Sequence, residues 1–165
     1  IAYFHEGEVL GGVVYRPASG ETFSAVRGLG FRHNGKESRN VNMDLECGKA
    51  LIGTGFPYRS EDLQASFFTC AQDVLLASRG MRRFGSAALD LAYVAAGFLQ
   101  GFWESELMSY DCAAGILMME ETGRISTNGI GGKYDLFNDR ILISGVPSVH
   151  KKLLSIVERS YNSLA

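Results

Sequence analysis

The stretch that decides the fold is residues 82–123, RRFGSAALDLAYVAAGFLQGFWESELMSYDCAAGILMMEETG. Residues 86–96 and 109–122 have the sequence of helices, and predicted strands at 81–84 and 99–104 precede them. Gly97 and Gly123 provide the helix stops. The stretch therefore predicts strand, helix, strand and helix, an arrangement in which ligands gather at the carboxyl ends of the strands.

Upstream of this stretch the pattern is different. The predicted strands there are 1–5, 9–16, 22–27 and 31–33. Turn sequences such as Asn34-Gly35 separate them, which predicts antiparallel hairpins. From residue 50 onward, strands and helices alternate up to a closing amphipathic helix. We therefore expect one globule with two parts: residues 1–49, an antiparallel sheet that completes an upstream subdomain, and residues 50–165, a subdomain of alternating strands and helices.

Composition narrows the class of protein. With 165 residues, of which 46% are hydrophobic, the chain can bury a sizeable core. Its net charge of −2 provides no basic surface for nucleic acid. The sequence has no run of about 20 apolar residues that could span a membrane. Three widely spaced cysteines with no C-x-x-C pair argue against zinc and favour reduced thiols in a cytoplasmic protein.

Asp111 is the first candidate for chemistry. It stands at the start of the second helix, after Ser109 as the predicted N-cap and before the small residues Ala113, Ala114 and Gly115. One interpretation is a carboxylate that stabilises the helix N-terminus. The other is a ligand of Mg²⁺, which prefers oxygen atoms from carboxylates, phosphate and water. The residues themselves leave both interpretations open.

Glu104 is the second candidate, because it ends an apolar strand a short loop before Asp111. A carboxylate there can accept hydrogen bonds from the hydroxyl groups of a sugar or polyol, or it can be an ordinary exposed strand end. Another predicted strand ends at Thr54-Gly55-Phe56-Pro57, and these residues could line the same site as Glu104.

The turn Gly85-Ser86-Ala87 is the third candidate, since backbone amides at a helix start can hold a phosphate. Ordinary capping by Ser86 explains the same residues. Arg82 and Arg83 precede the turn and could offer positive charge to phosphate. Strand alternation places them on opposite faces, so one of the two is expected to be structural.

A specific family resemblance rests on these residues. The run 82–97 and the sequence Tyr-Asp-Cys-Ala-Ala-Gly at 110–115 resemble the C-terminal signature of the inositol monophosphatase family. The sequences GGVVYRP at 11–17, LIGTGFP at 51–57 and GGKYD at 131–135 fit the same family. The resemblance implies an α-β-α-β-α sandwich, usually a homodimer, that hydrolyses phosphate monoesters with magnesium and is inhibited by lithium.

The resemblance also implies roles for particular residues. Asp111 would ligate the metal and contact substrate, and Glu104 would contact inositol hydroxyl groups. The residues that line the substrate pocket would be Arg82, Gly85, Ser86 and Ala87. Tyr110 stands where the family usually has Trp, and Arg124 stands where a small residue is usual.

Two family motifs are absent from the sequence. The Asp-Pro-Ile/Leu-Asp-Gly-Thr motif and the Glu-Glu pair, which carry most of the metal ligands, lie upstream in the family. One Asp cannot hold two magnesium ions against water, and paired metals are common in this chemistry. We therefore expect an N-terminal metal-binding portion to be missing, and the 165-residue chain alone to be inactive.

The expected activity of the complete protein is magnesium-dependent hydrolysis of inositol 1-phosphate, with a small phosphorylated polyol as the binding partner. Three other substrates stay open: a nucleotide 3′-phosphate, fructose bisphosphate and histidinol phosphate. A truncated chain with only a structural or dimerising role is the non-enzymatic alternative.

Overall fold

The computed structural model describes residues 1–38, 43–58 and 60–161. The strands of the first sheet are β1 (Ala2–His5), β2 (Glu8–Arg16), β3 (Glu21–Val26), β4 (Gly30–His33) and β5 (Lys36–Glu37). The strands of the second sheet are β6 (Leu51–Thr54), β7 (Gly80–Arg82), β8 (Gly101–Ser105), β9 (Ile125–Asn128) and β10 (Ile141–Gly145). The helices are α1 (Glu61–Ala77), α2 (Ala87–Ala96), α3 (Ser109–Glu121) and α4 (Pro147–Tyr161).

The first sheet is antiparallel, in the order β1-β2-β3-β4-β5, as the hairpin pattern predicted. Its turns have the required chemistry: Asn34 and Gly35 both have positive φ angles, 50° and 74°, between β4 and β5. Alternate residues on β3 and β4 are buried, among them Phe23 and Phe31, which are 0% and 1% exposed. The sheet therefore has one buried face.

The second sheet has the order β7-β6-β8-β10-β9. β8 lies at its centre, and β6, between β7 and β8, is parallel to both, while β10 and β9 continue the sheet antiparallel. Neighbouring residues of β8 point to opposite faces, so that Phe102 and Trp103 enter two different hydrophobic clusters. The second sheet is buried on both faces.

The clusters define the layers. Residues of α2 and α3 share one cluster with the buried face of the first sheet and with Phe102 and Leu142 of the second. Residues of α1 and α4 share the other cluster with Ile52, Trp103 and Ile143. The described residues thus form four layers, sheet, helices, sheet and helices, and the predicted layered α/β fold is confirmed. None of these helices combines the length and hydropathy that a membrane span requires.

Helix α3 is fixed by close contacts on both sides. A Cβ on Gly12 of β2 would lie 2.9 Å from Cα of Ala114, and a Cβ on Gly115 would lie 2.5 Å from Cβ of Leu91 on α2. At the other end of the helix, the Glu121 carboxylate accepts hydrogen bonds from the amides of the β3–β4 turn, at 2.8 and 2.9 Å. Both neighbours therefore determine where α3 lies.

The prediction that Ser109 caps α3 is wrong by one residue. Met108 is the N-cap, with an extended backbone (φ −81°, ψ 156°), and Ser109 is the first helical residue. The cap is supplied by Asp111, whose Oδ2 accepts a hydrogen bond from the Met108 amide at 3.1 Å. A carboxylate in the first turn can replace a capping hydroxyl because it satisfies an amide that lacks a helical partner.

Candidate active site

A cavity of about 370 Å³ opens where β6 and β8 end and where α2 and α3 begin. Five of the residues selected from the sequence line it: Gly85, Ser86, Ala87, Glu104 and Asp111. The strand end Thr54–Pro57 also lines it. Because β6 and β8 are parallel, their carboxyl ends meet at one edge of the sheet, which explains why residues 50 positions apart share a cavity.

Asp111 enters the cavity from the first turn of α3. Its hydrogen bond to the Met108 amide fulfils the capping interpretation. The carboxylate is half-buried and also lines the cavity, so capping does not remove it from contact with a ligand. The two interpretations of Asp111 are therefore compatible.

Glu104 reaches the cavity from the carboxyl end of β8. Pairing of Trp103 with Thr54 on one side, and of Glu104 with Leu142 on the other, fixes the height of this strand end. Thr54 strengthens the pairing, since its hydroxyl donates to the Trp103 carbonyl at 2.8 Å. Burial raises the pKa of Glu104 to about 7; the charge of Arg83 acts in the opposite direction, and that of Asp111 raises the pKa further.

The turn before α2 presents a helix N-terminus to the cavity. Gly85 has a φ of 90°, a conformation that glycine adopts without strain. Ser86 is the N-cap, and its Oγ accepts a hydrogen bond from the Leu89 amide at 3.4 Å. Ala87 begins the helix, so backbone amides and the positive end of the helix dipole lie at the cavity.

The two arginines have different surroundings, because β7 ends between them. Arg82 ends β7, is exposed and donates to the carbonyl of Met81 at 2.8 Å. Arg83 lines the cavity, and its guanidinium lies 5.7 Å and 5.4 Å from the ring centroids of Phe56 and Tyr58. The candidate arginine for substrate contact is therefore Arg83, one residue beyond the position selected from the sequence.

Asp90 is a cavity residue that the sequence reasoning did not select. It is 1% exposed, and neither carboxylate oxygen has a hydrogen-bond partner among the described residues. Burial raises its pKa to about 7, the negative charge of Glu104 raises it too, and Arg83 lowers it. The sequence does contain a sign of this residue, because Asp90 is the single charge in the otherwise apolar helix sequence AALDLAYVAA.

After Glu104 and the end of β8, the chain enters a short loop at the edge of the cavity, and this loop is fixed by hydrogen bonds and an ion pair. Glu106 has a φ of 61°, which is uncommon for a residue other than glycine. Its amide donates to the Arg140 carbonyl at 2.7 Å, and its carboxylate pairs with the Arg140 guanidinium. Arg140 also bonds Asp62 of α1 at 3.0 Å. These bonds fix the loop between β8 and α3.

Carboxyl groups dominate the charge of the cavity. The described acidic residues that line it are Asp90, Glu104, Glu106 and Asp111, against the single cation Arg83 among the same described lining residues. No group of three or more His, Cys, Asp or Glu within residues 1–38, 43–58 and 60–161 could hold a metal ion. These residues therefore do not fit a complete metal site by themselves, although Asp111 has the chemistry of one ligand.

The sequence has clear relatives. It matches the inositol monophosphatase family over residues 1–161. It is 38% identical over 159 residues to the inositol-1-monophosphatase of Rhizobium meliloti, covering 96% of this chain and 59% of that protein. It is 34% identical over 160 residues to Nus factor SuhB of Pseudomonas aeruginosa, covering 96% of this chain and 58% of that protein.

Solved structures of related proteins have the same fold. The extragenic suppressor protein suhB of Bartonella henselae superimposes with a TM-score of 0.88 at 36% identity, over 96% of this chain and 61% of that one. The inositol monophosphatase of Anabaena superimposes with a TM-score of 0.88 at 28% identity, over 96% and 62%. The chain spans 59% of the length of the inositol-1-monophosphatases of Rhizobium meliloti and Mesorhizobium japonicum. With a match along almost its whole length, the chain belongs to the inositol monophosphatase family.

Proposed function

We propose that the whole protein hydrolyses a phosphate monoester of a small polyol, with inositol 1-phosphate as the first candidate, and that the reaction requires Mg²⁺. The observation that carries the proposal is one cavity that joins Glu104, Asp111 and the N-terminus of α2. Family membership and the name of the relative from Rhizobium meliloti support the same class of reaction.

Each side of the cavity has a distinct role in this proposal. Backbone amides at the start of α2, beside Gly85 and Ser86, hold phosphate oxygens at the positive end of the helix dipole. Arg83 adds a cation at the same side. Glu104 accepts hydrogen bonds from the polyol hydroxyl groups and so orients the leaving alcohol.

The charge balance supports a requirement for a divalent cation. Glu106 is paired with Arg140, and Asp90 and Glu104 are fully ionised only above a pH of about 7. With Asp111 they still outweigh the charge of Arg83, so a phosphate dianion would meet net repulsion unless a cation neutralised part of it. Asp111 would provide one ligand, and the remaining ligands would come from a part of the protein outside this chain. Mg²⁺, when bound, supplies positive charge that stabilises the transferring phosphoryl group.

The deciding experiment is turnover and Mg²⁺ binding by the whole protein and by its Asp111→Asn variant. We expect the variant to lose nearly all turnover and to bind Mg²⁺ more weakly in calorimetry. Asp44→Asn, an exposed position outside the cavity, is the matched control and should behave as the wild type. Wild-type turnover in Asp111→Asn would overturn the assignment of this residue. A whole protein that binds no Mg²⁺ at millimolar concentration would instead favour the structural role.

The substrate is tested by comparing inositol 1-phosphate with a nucleotide 3′-phosphate, fructose bisphosphate and histidinol phosphate under identical conditions. The half-buried carboxylate of Glu104 favours a polyol. Preference for one of the other three would keep the chemistry and change the substrate.

A homodimer, inhibition by lithium and a cytoplasmic location are further proposals that rest on the resemblance. Light scattering of the whole protein tests the first, and an inhibition curve with LiCl tests the second. The exposed apolar side chains Phe68, Leu75 and Leu76 of α1 are compatible with a covered face.

A further inference from the structure

Gly55, just beyond the end of β6, lies directly against the carboxyl group of Glu104. A Cβ added at Gly55 would come closer than 3.0 Å to Cδ, Oε1 and Oε2 of Glu104, a separation that real Cβ atoms essentially never show. The space that a side chain at position 55 would need is therefore already occupied by the Glu104 carboxylate.

The register of the second sheet explains this contact. Thr54 and Trp103 are paired on the parallel strands β6 and β8, so the next residue of each strand, Gly55 and Glu104, lies at the same level. Residues at the same level of parallel strands project to the same face. The contact thus follows from the backbone pairing of two strands that the chain brings together over about 50 residues.

A second glycine, Gly53 of β6, also lies close to a carboxyl group, that of Asp90. A Cβ at Gly53, two residues earlier, would lie 3.1 Å from Leu99 and 3.4 Å from Oδ1 of Asp90. The Gly-x-Gly sequence at the end of β6 therefore leaves this edge of the sheet without side chains where two buried or half-buried carboxyl groups lie.

We propose that Gly55 is a positioning residue: the space left by its missing side chain admits the Glu104 carboxylate at its observed position, and this position sets the selectivity of the cavity for substrates with hydroxyl groups. The inference rests on the proposed function. A glutamate side chain has several rotatable bonds, and a hydrogen-bond acceptor contributes to selectivity only where its position is fixed. Gly55 provides the space for one position, and any larger residue removes it.

The test is a set of variants of the whole protein: Gly55→Ala, Glu104→Asp, the double variant of both, and Gly101→Ala. Gly101 is the matched control, because a Cβ there would approach Leu153, Val149 and Ile52 within 2.8–3.0 Å in the cluster of α1 and α4. It crowds the second sheet as Gly55→Ala does, without touching Glu104. Melting temperature and steady-state kinetics are measured for inositol 1-phosphate and for phenyl phosphate, which has no hydroxyl group for Glu104.

We expect Gly55→Ala to raise KM for inositol 1-phosphate by about tenfold or more, the effect of losing one hydrogen bond to a charged group. Its kcat/KM for phenyl phosphate should fall by a clearly smaller factor than its kcat/KM for inositol 1-phosphate, since no contact with Glu104 is involved. Gly101→Ala should show no such difference between the two substrates.

The double variant tests the contact itself. Aspartate is shorter than glutamate by one C–C bond, about 1.5 Å, so Glu104→Asp withdraws the carboxylate from the Cβ of Ala at position 55. We expect Gly55→Ala to lower the melting temperature less in the Glu104→Asp background than in the wild type, a coupling that neighbouring residues show. This readout needs no activity and holds even if Gly55→Ala folds poorly.

Two results would overturn the inference. One is an unchanged KM for inositol 1-phosphate in folded Gly55→Ala, or an equal loss with phenyl phosphate. The other is a Gly55→Ala substitution that lowers the melting temperature as much in the Glu104→Asp background as in the wild type. Failure of the proposed function has a separate signature, because wild-type protein would then not turn over inositol 1-phosphate at all.

Discussion

Replacing Asp90 by asparagine should remove a large part of the pH dependence of stability. The wild-type carboxyl group has a pKa of about 7 in the folded protein against 3.8 as its ordinary value. At 1.36 kcal/mol for each pKa unit, the ionised group destabilises the folded state by about 4 kcal/mol at alkaline pH. The cause is burial, at 1% exposure and without a hydrogen-bond partner among the described residues, together with the neighbouring charge of Glu104.

The direction follows from proton binding. Because the folded-state pKa lies above the unfolded value, the folded protein binds the proton more tightly, so the stabilising contribution is fully present below pH 3.8 and is lost as the pH rises through about 7. Between pH 5 and pH 8 the wild type should lose about 2.5 kcal/mol of unfolding free energy relative to Asp90→Asn. Asparagine does not titrate, so any cost of burying its amide is the same at both pH values.

The assay is urea unfolding of the whole protein at the two pH values, in the presence of a chelator so that no metal ion shifts the titration. The exposed variant Asp44→Asn should follow the wild type. A difference between wild type and Asp90→Asn that stays constant within about 0.5 kcal/mol from pH 5 to pH 8 would refute the reasoning.

Three further outcomes are expected. Gly115→Ala should destabilise the protein by about 1–3 kcal/mol in urea unfolding, because its Cβ would lie 2.5 Å from Cβ of Leu91, whereas Gly48→Ala, with open space around it, should change stability by less than about 0.5 kcal/mol; equal effects would contradict the packing argument. Ellman's reagent should modify Cys47 first in the native protein, since Cys70 and Cys112 are buried with pKa values raised by burial to about 12 and about 11; early labelling of either buried thiol, detected by peptide mass, would contradict this. Arg83→Met should raise the pKa of Glu104 above about 7 in a carbon-detected NMR titration without metal, because the arginine charge lowers it in the wild type; an unchanged value would show that the guanidinium does not act on this carboxylate.

Local sequence patterns were sufficient to predict the helices and strands. The hairpins of the first sheet, the strand–helix alternation and the glycine stops depend on residues that are close in the chain, so their signals can be read directly. The same holds for Glu104 and Asp111, each of which stands at the end or start of an element with a recognisable pattern. Their presence in one cavity then follows from the parallel pairing of strands.

The remaining features depend on details that local patterns do not contain. Choosing Arg83 over Arg82 would have required knowing that β7 ends at Arg82 and that the chain turns toward the cavity after it. The role of Asp90 depends on which side of α2 faces the second sheet, and the contact of Gly55 with Glu104 depends on the register of two strands far apart in sequence. Such relations appear only once the sheet is assembled.

The position of α3 between the two sheets has a consequence for exchanging parts among relatives. The first sheet contributes no residue to the described lining of the cavity, so it looks replaceable. Yet its Gly12 lets α3 approach, and its β3–β4 turn is bonded to Glu121 at the far end of the helix whose first turn carries Asp111. A chimera that imports residues 2–37 from another protein would move Asp111 unless glycine at position 12 and the partners of Glu121 came with it. The first sheet and α3 can therefore be exchanged between relatives only together.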